Sequence, residues 1–126
     1  MPEEILKQLA TAVTRLEEAL AEPKNSMVRD SAILRFVIAT ELSWKTVKWY
    51  CEDKLKVRCA SPKACYREAY NQGLIKYEDK WLKICDDRND VAHIYKESLA
   101  DELFTKLPEY LKLFQELLKK LQEENK

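Results

Sequence analysis

The sequence predicts an all-α protein: an up-and-down bundle of four long helices plus one short helix. Three observations predict it. Glycine occurs once and proline four times in 126 residues, too few turn formers for the many reversals of a β-rich chain. Leu, Ala, Glu and Lys, which lose little on entering a helix, dominate the composition. Apolar residues recur at steps of three and four, the spacing that gathers them on one helical face.

The first helix covers "PEEILKQLATAVTRLEEALAE", where Ile5, Leu9, Val13, Leu16 and Leu20 make one apolar stripe. Pro23 and the polar residues around it end that pattern. A longer second helix starts near Met27 and runs through "RDSAILRFVIATELSWKTVKWYCEDKL". From Ile33 to Ala39 it is apolar almost all round, apart from Arg35. Such a helix is buried on several sides, at the centre of a bundle or against a second subunit. The segment "SPKACYREAYNQG" is a complete short helix, with Ser61 as cap, Pro62 at the first position and Gly73 just past the end. A fourth helix carries Trp81, Leu82, Ile84, Cys85 and the stretch "DDRNDVAHIY". The last begins near Ser98 and places Leu99, Leu103, Leu107, Tyr110, Phe114 and Leu121 on one stripe. Pro108 falls inside it and is expected to kink or split the helix. Neither an internal repeat nor a long linker interrupts the chain, so residues 1–126 read as one domain, long enough for a core without staples.

Charge and cysteine usage narrow the class. The 22 basic and 22 acidic side chains balance, which argues against a protein that coats duplex DNA. Both ends are net acidic, whereas Lys45 to Arg67 is basic, so one basic surface remains compatible with neutrality. Cys51, Cys59, Cys65 and Cys85 form no CxxC pair, and His93 is the single histidine. No metal site and no cofactor is expected from that set. The start "MPEEILKQLA" carries acids where a secretion signal carries positive charge, and no apolar run reaches the roughly 20 residues of a membrane span. The expectation is a cytoplasmic protein with reduced thiols.

The chemistry concentrates in "DDRNDVAHIY". On an ideal helix Arg88 and His93 lie about 140° apart, while Asn89 and His93 share a face. Arg88 falls on the stripe of Trp81, Ile84, Cys85, Ala92 and Tyr95, so it needs a partner or a cleft, because an unpaired buried charge is costly. Metal-free cleavage of RNA requires a base for the 2′-hydroxyl proton and a cation for the charge growing on the phosphate. Histidine and arginine suit those tasks. The spacing fits an ordinary polar turn equally well. Asp86, Asp87 and Asp90 beside the motif read as a solvated face, or as groups that meet a basic partner. Arg35 and Glu41, about 120° apart round the second helix, do not pair with each other. Arg35 is expected buried against one of those acids, tying the second helix to the fourth. Trp44, Trp49 and Tyr50 are candidates to stack a base or to pack in the core. Without a Gly-rich phosphate loop or a serine triad, the chain does not read as a nucleotidyltransferase itself.

The stretch "RNDVAHIY" matches an Rx4HxY motif, and "RDSAILRFVIATELSWKTVKWY" contains Arg35, Phe36, Glu41, Leu42, Trp44 and Lys45 in a second recognisable block. With "SPKACYREAYNQGLI" and Trp81 following in order, residues 5 to 120 resemble the HEPN family, in the subgroup called nucleotidyltransferase substrate-binding proteins. That resemblance implies a dimerising helical bundle encoded beside a minimal nucleotidyltransferase. It implies Arg88 as the phosphate cation, Asn89 as a polar helper, His93 as acid or base and Tyr95 as a residue that can receive AMP, with Arg35, Glu41 and Lys45 in support. Two functions follow from it and stay open at this point. One is a homodimeric, metal-independent endoribonuclease, a toxin restrained by its transferase antitoxin. The other is a non-catalytic subunit that binds nucleotide or substrate for a two-component nucleotidyltransferase.

Overall fold

Two of the helices begin on a capping side chain. In the computed structural model, which describes residues 2–125, the elements are α1 (Pro2–Ala21), α2 (Ser26–Asp53), α3 (Pro62–Asn71), α4 (Glu78–Asp90), a single 3-10 turn (Val91–His93) and α5 (Glu97–Glu124). Asn25 caps α2 by accepting from the Val28 N–H at 2.9 Å, and Ser61 caps α3 by accepting from the Ala64 N–H at 3.2 Å. Pro62 occupies the first turn of α3, where its missing N–H has no helical partner to lose. Past α3 the chain reverses at Gly73 with φ +79°, and the Leu74 N–H closes the helix on the Ala69 carbonyl at 2.9 Å.

The polar contacts give the helix directions. Near the start of α2 the buried Arg29 donates to Glu97 and Asp101 at the start of α5. At the other end, Lys54 Nζ donates to the Glu124 carbonyl at 3.1 Å. The two 28-residue helices α2 and α5 therefore run parallel, with α1 and α4 antiparallel to them. This is an up-and-down, all-α arrangement. Arg29, which no motif marks, is held charged by its hydrogen bonds to Asp30, Glu97 and Asp101.

The core runs the length of α2, which touches all the other α-helices and buries Phe36, Ala39, Val47 and Cys51 completely. Its centre is aromatic. Phe36 stacks on Tyr110 with centroids 5.5 Å apart, Trp81 meets Phe114 edge-on at 5.6 Å, and Tyr66 packs on Trp81 at 4.7 Å. Such contacts add to the area term, since edge and offset geometries suit the ring quadrupoles. The Tyr66 hydroxyl reaches Ser43 and the Thr40 carbonyl, so this buried polar atom is satisfied and α3 is pinned to α2.

Four sequence expectations need correction. The fourth helix stops at Asp90, so Ala92 and Tyr95 do not continue the Trp81–Ile84 stripe, and His93 does not share a helical face with Asn89. All three are exposed. Pro108 does not split α5; Leu103, Leu107 and Tyr110 are buried on either side of it, and that burial outweighs one missing backbone hydrogen bond. Arg35 does not meet Asp86, Asp87 or Asp90. It is half-buried and lines a shallow groove with α1 residues such as Gln8 and Ala12, because its phase on α2 faces that helix. Finally, Cys59 and Cys65 are joined as a disulfide, Cα atoms 5.1 Å apart, so not all four thiols are reduced. Lys56, with φ 57°, turns the chain back after α2, which brings Cys59 opposite the first turn of α3. Cys51 and Cys85 are free and buried, and burial pushes both thiols up to about 11.

Candidate functional site

The motif straddles a helix end, and that decides its geometry. Within α4, Arg88 is half-buried and its Nε donates to Glu41 Oε1 of α2 at 2.7 Å. The other Glu41 oxygen accepts from the Trp44 indole N–H at 3.2 Å. One carboxylate thus fixes both an arginine 47 residues away and the aromatic ring one turn along its own helix. Among the described residues the two terminal guanidinium nitrogens of Arg88 have no protein hydrogen bond. The group is oriented by Nε and its remaining fork is unpaired within the described chain, where a phosphate or carboxylate can be bound in two-point fashion.

Glu41 is therefore an orienting residue more than a stabilising one. The pair is about a third exposed on both sides, and ion pairs at that exposure contribute roughly 0–1 kcal/mol. Glu41→Ala is expected to lower unfolding stability by less than about 1 kcal/mol in urea titration. A loss of several kcal/mol would show that the pair holds the fold rather than the arginine.

His93 lies elsewhere. On a wheel of about 100° per residue, Cys85, Arg88 and Asn89 point to one side of α4, and Lys83, Asp87 and Asp90 to the opposite side. Two clefts follow. The first, about 190 Å³, lies among α2, the start of α3 and α4, lined by Glu41, Trp44, Pro62, Lys63, Arg88 and Asn89. The second, about 350 Å³, lies between α4 and α5 and is lined by Lys83, Asp87, Asp90, His93, Leu99 and Lys106. The 3-10 turn folds His93 over this second cleft. Within one chain, Arg88 and His93 do not share a cavity, and neither do Asn89 and His93. Tyr95 follows on the loop and is 81% exposed. Lys45 is exposed one turn beyond Glu41 and lines neither cleft.

Asp87 departs from the solvated face expected of the three acids. It is 7% exposed, accepts from the buried Tyr110 hydroxyl, and pairs with Lys106 at 3.4 Å and Lys83 at 3.8 Å. Burial and the hydrogen bond to Asp87 both raise the Tyr110 phenol, which stays neutral and donates. A tyrosine on the buried stripe of α5 was the available signal, since a buried phenol needs an acceptor. Asp86 pairs with Lys63 at 2.6 Å, and Asp90 is exposed. Among the described residues no three His, Cys, Asp or Glu side chains are grouped to hold a metal ion. No described helix is long and apolar enough to cross a membrane.

Residues 4–123 match the model of a family described as nucleotidyltransferase substrate binding protein like. A solved protein of Thermus thermophilus is 34% identical and superposes with a TM-score of 0.85, covering 90% of this chain and 98% of that one. A Haemophilus influenzae protein, described as revealing the fold of a substrate binding domain of a nucleotidyltransferase, is 25% identical with a TM-score of 0.82, covering 93% and 98%. The Shewanella oneidensis HEPN toxin, solved tri-AMPylated in complex with its MNT antitoxin, has a TM-score of 0.78 over 97% and 96% of the two chains. Its identity is 15%, so that likeness is one of fold. No curated relative matches the chain.

Proposed function

The chain belongs to the nucleotidyltransferase substrate binding protein family, and on that premise we propose that it is the helical partner of a minimal nucleotidyltransferase, a metal-independent endoribonuclease silenced when its partner adds AMP to Tyr95. The observation that carries this reading is the anchored Arg88, with two guanidinium nitrogens free, on a segment that also exposes His93 and Tyr95. In the reaction, the RNA 2′-oxygen attacks the adjacent phosphorus and loses its proton to a base. The 5′-oxygen leaves with a proton from an acid, and a cyclic phosphate remains. Arg88 steadies the phosphorane charge, Asn89 orients the phosphate and His93 moves a proton. Since one chain sets Arg88 and His93 on opposite sides of α4, the complete site is assembled from two copies in a homodimer.

Tyr95 suits its role for a simple reason. Its side chain stands in solvent between the 3-10 turn and the head of α5, where a transferase can reach it. Adding AMP there places bulk and negative charge beside the site and excludes a nucleic acid strand. The same separation of Arg88 from His93 favours a second reading, a non-catalytic subunit that presents nucleotide or substrate to the transferase.

The test is RNA cleavage by the purified protein in EDTA, followed by addition of the partner transferase with ATP. Wild type is expected to cleave and then to lose activity as AMP is attached. Tyr95→Phe is expected to cleave and to escape silencing. A folded, dimeric wild type that cleaves no RNA transfers the assignment to the non-catalytic subunit.

A further inference from the structure

We propose that the cleft among α2, α3 and α4 is a nucleotide subsite: the base lies against Trp44 and the phosphate on Arg88. The proposal rests on the reading of Arg88 as a phosphate cation and names what binds beside it. At about 190 Å³ the cavity is smaller than the roughly 300–1,000 Å³ of sites that enclose a drug-sized ligand. It takes a fragment the size of one base and leaves sugar and phosphate at the mouth.

The walls suit a base. Trp44 and Pro62 give apolar surface, and the Trp44 ring is fixed by its N–H on Glu41. Burial keeps the Cys85 thiol protonated, with its pKa pushed up to about 11, so the floor is uncharged. Asn89, exposed at the rim, carries both a donor and an acceptor for a base edge. Stacking on an aromatic side chain needs no sequence-specific hydrogen bonds, since every base has a π-face.

The charges give the proposal a sharper form. Arg88 faces Glu41 and Lys63 faces Asp86 at 2.6 Å, so the four charges cancel. A phosphate alone gains only the free fork of Arg88. The base must supply a large share of the affinity, which a purely electrostatic anion site would not show.

The experiment is isothermal titration of the full chain with 5′-AMP, 5′-UMP, ribose 5-phosphate and adenosine. Both nucleotides are expected to bind about ten-fold or more tightly than ribose 5-phosphate, the scale of one base–aromatic stack. Trp44→Leu is expected to remove that advantage and leave ribose 5-phosphate unchanged, while Trp44→Phe retains most of it. Arg88→Ala should reduce nucleotide affinity to that of adenosine. Equal binding of ribose 5-phosphate and 5′-AMP by wild type overturns the proposal, and needs no variant to fold. So does a folded Trp44→Leu that binds nucleotides normally. A short single-stranded oligoribonucleotide identifies the source: tighter binding than 5′-AMP, lost with Trp44→Leu, assigns the subsite to an RNA strand, and equal binding assigns it to a free nucleotide. Titration is independent of turnover. Nucleotide binding without RNA cleavage defeats the ribonuclease assignment alone, and cleavage with no base preference at Trp44 defeats the subsite alone.

Discussion

On the proposed ribonuclease reading, His93→Ala is expected to lower RNA cleavage in EDTA by about 100- to 10,000-fold, the range typical of removing a positioned acid or base, and to leave the thermal midpoint nearly unchanged. The second half of that expectation comes from the site itself. His93 is exposed on the 3-10 turn and makes no side-chain hydrogen bond among the described residues, so its loss opens no core cavity and strands no buried partner. Mixing His93→Ala with Arg88→Ala subunits is a sharper form of the same measurement. If the site is shared across a dimer, heterodimers regain one intact Arg88–His93 pair, and activity reappears in the mixture though neither parent has it. Cleavage by His93→Ala at the wild-type rate would remove the histidine from the mechanism and direct attention to Lys83 or Lys106, its neighbours in the cleft.

Trp81→Ala destabilises the bundle by about 3–5 kcal/mol, the cost of emptying a large aromatic site in a packed core. Trp81 is 1% exposed and bridges Tyr66 of α3 and Phe114 of α5. One ring on α4 thus joins the helices on either side of it. A domain of this size has about 5–15 kcal/mol in all, so the variant loses a large part of its margin. Trp81→Phe, which keeps a ring, should lose less. Urea titration followed by helical circular dichroism reads both. A loss below about 1 kcal/mol for Trp81→Ala would mean that the neighbouring rings collapse into the gap, and that the ring cluster is not what locks α4 in place.

Much of the fold was legible in the chain because its causes are local. The stripes of α1 and α5, the cap at Ser61, the stop at Gly73 and the nearly all-round apolar face of α2 each depend on residues within a few turns, and each appears in the structure. The candidate site could be named as a list of residues, through a family motif, but its geometry could not be read. "DDRNDVAHIY" looked like continuous helix because nothing between Asp90 and Tyr95 breaks one. The chain leaves the helix after Asp90, and the break carries His93 round to the α5 side.

What the sequence by itself determined is therefore the helical class, most of the approximate helix bounds and the family to which the chain belongs. Only the tertiary structure decided that Arg88 is held by Glu41, that Asp87 is buried beneath Tyr110, that Arg35 faces α1, and that Cys59 lies against Cys65. The physical reason is one of range. Periodicity states which residues share a face of a helix, whereas the neighbour on that face, and so the partner of a charge, depends on how helices far apart in sequence are turned and packed against one another.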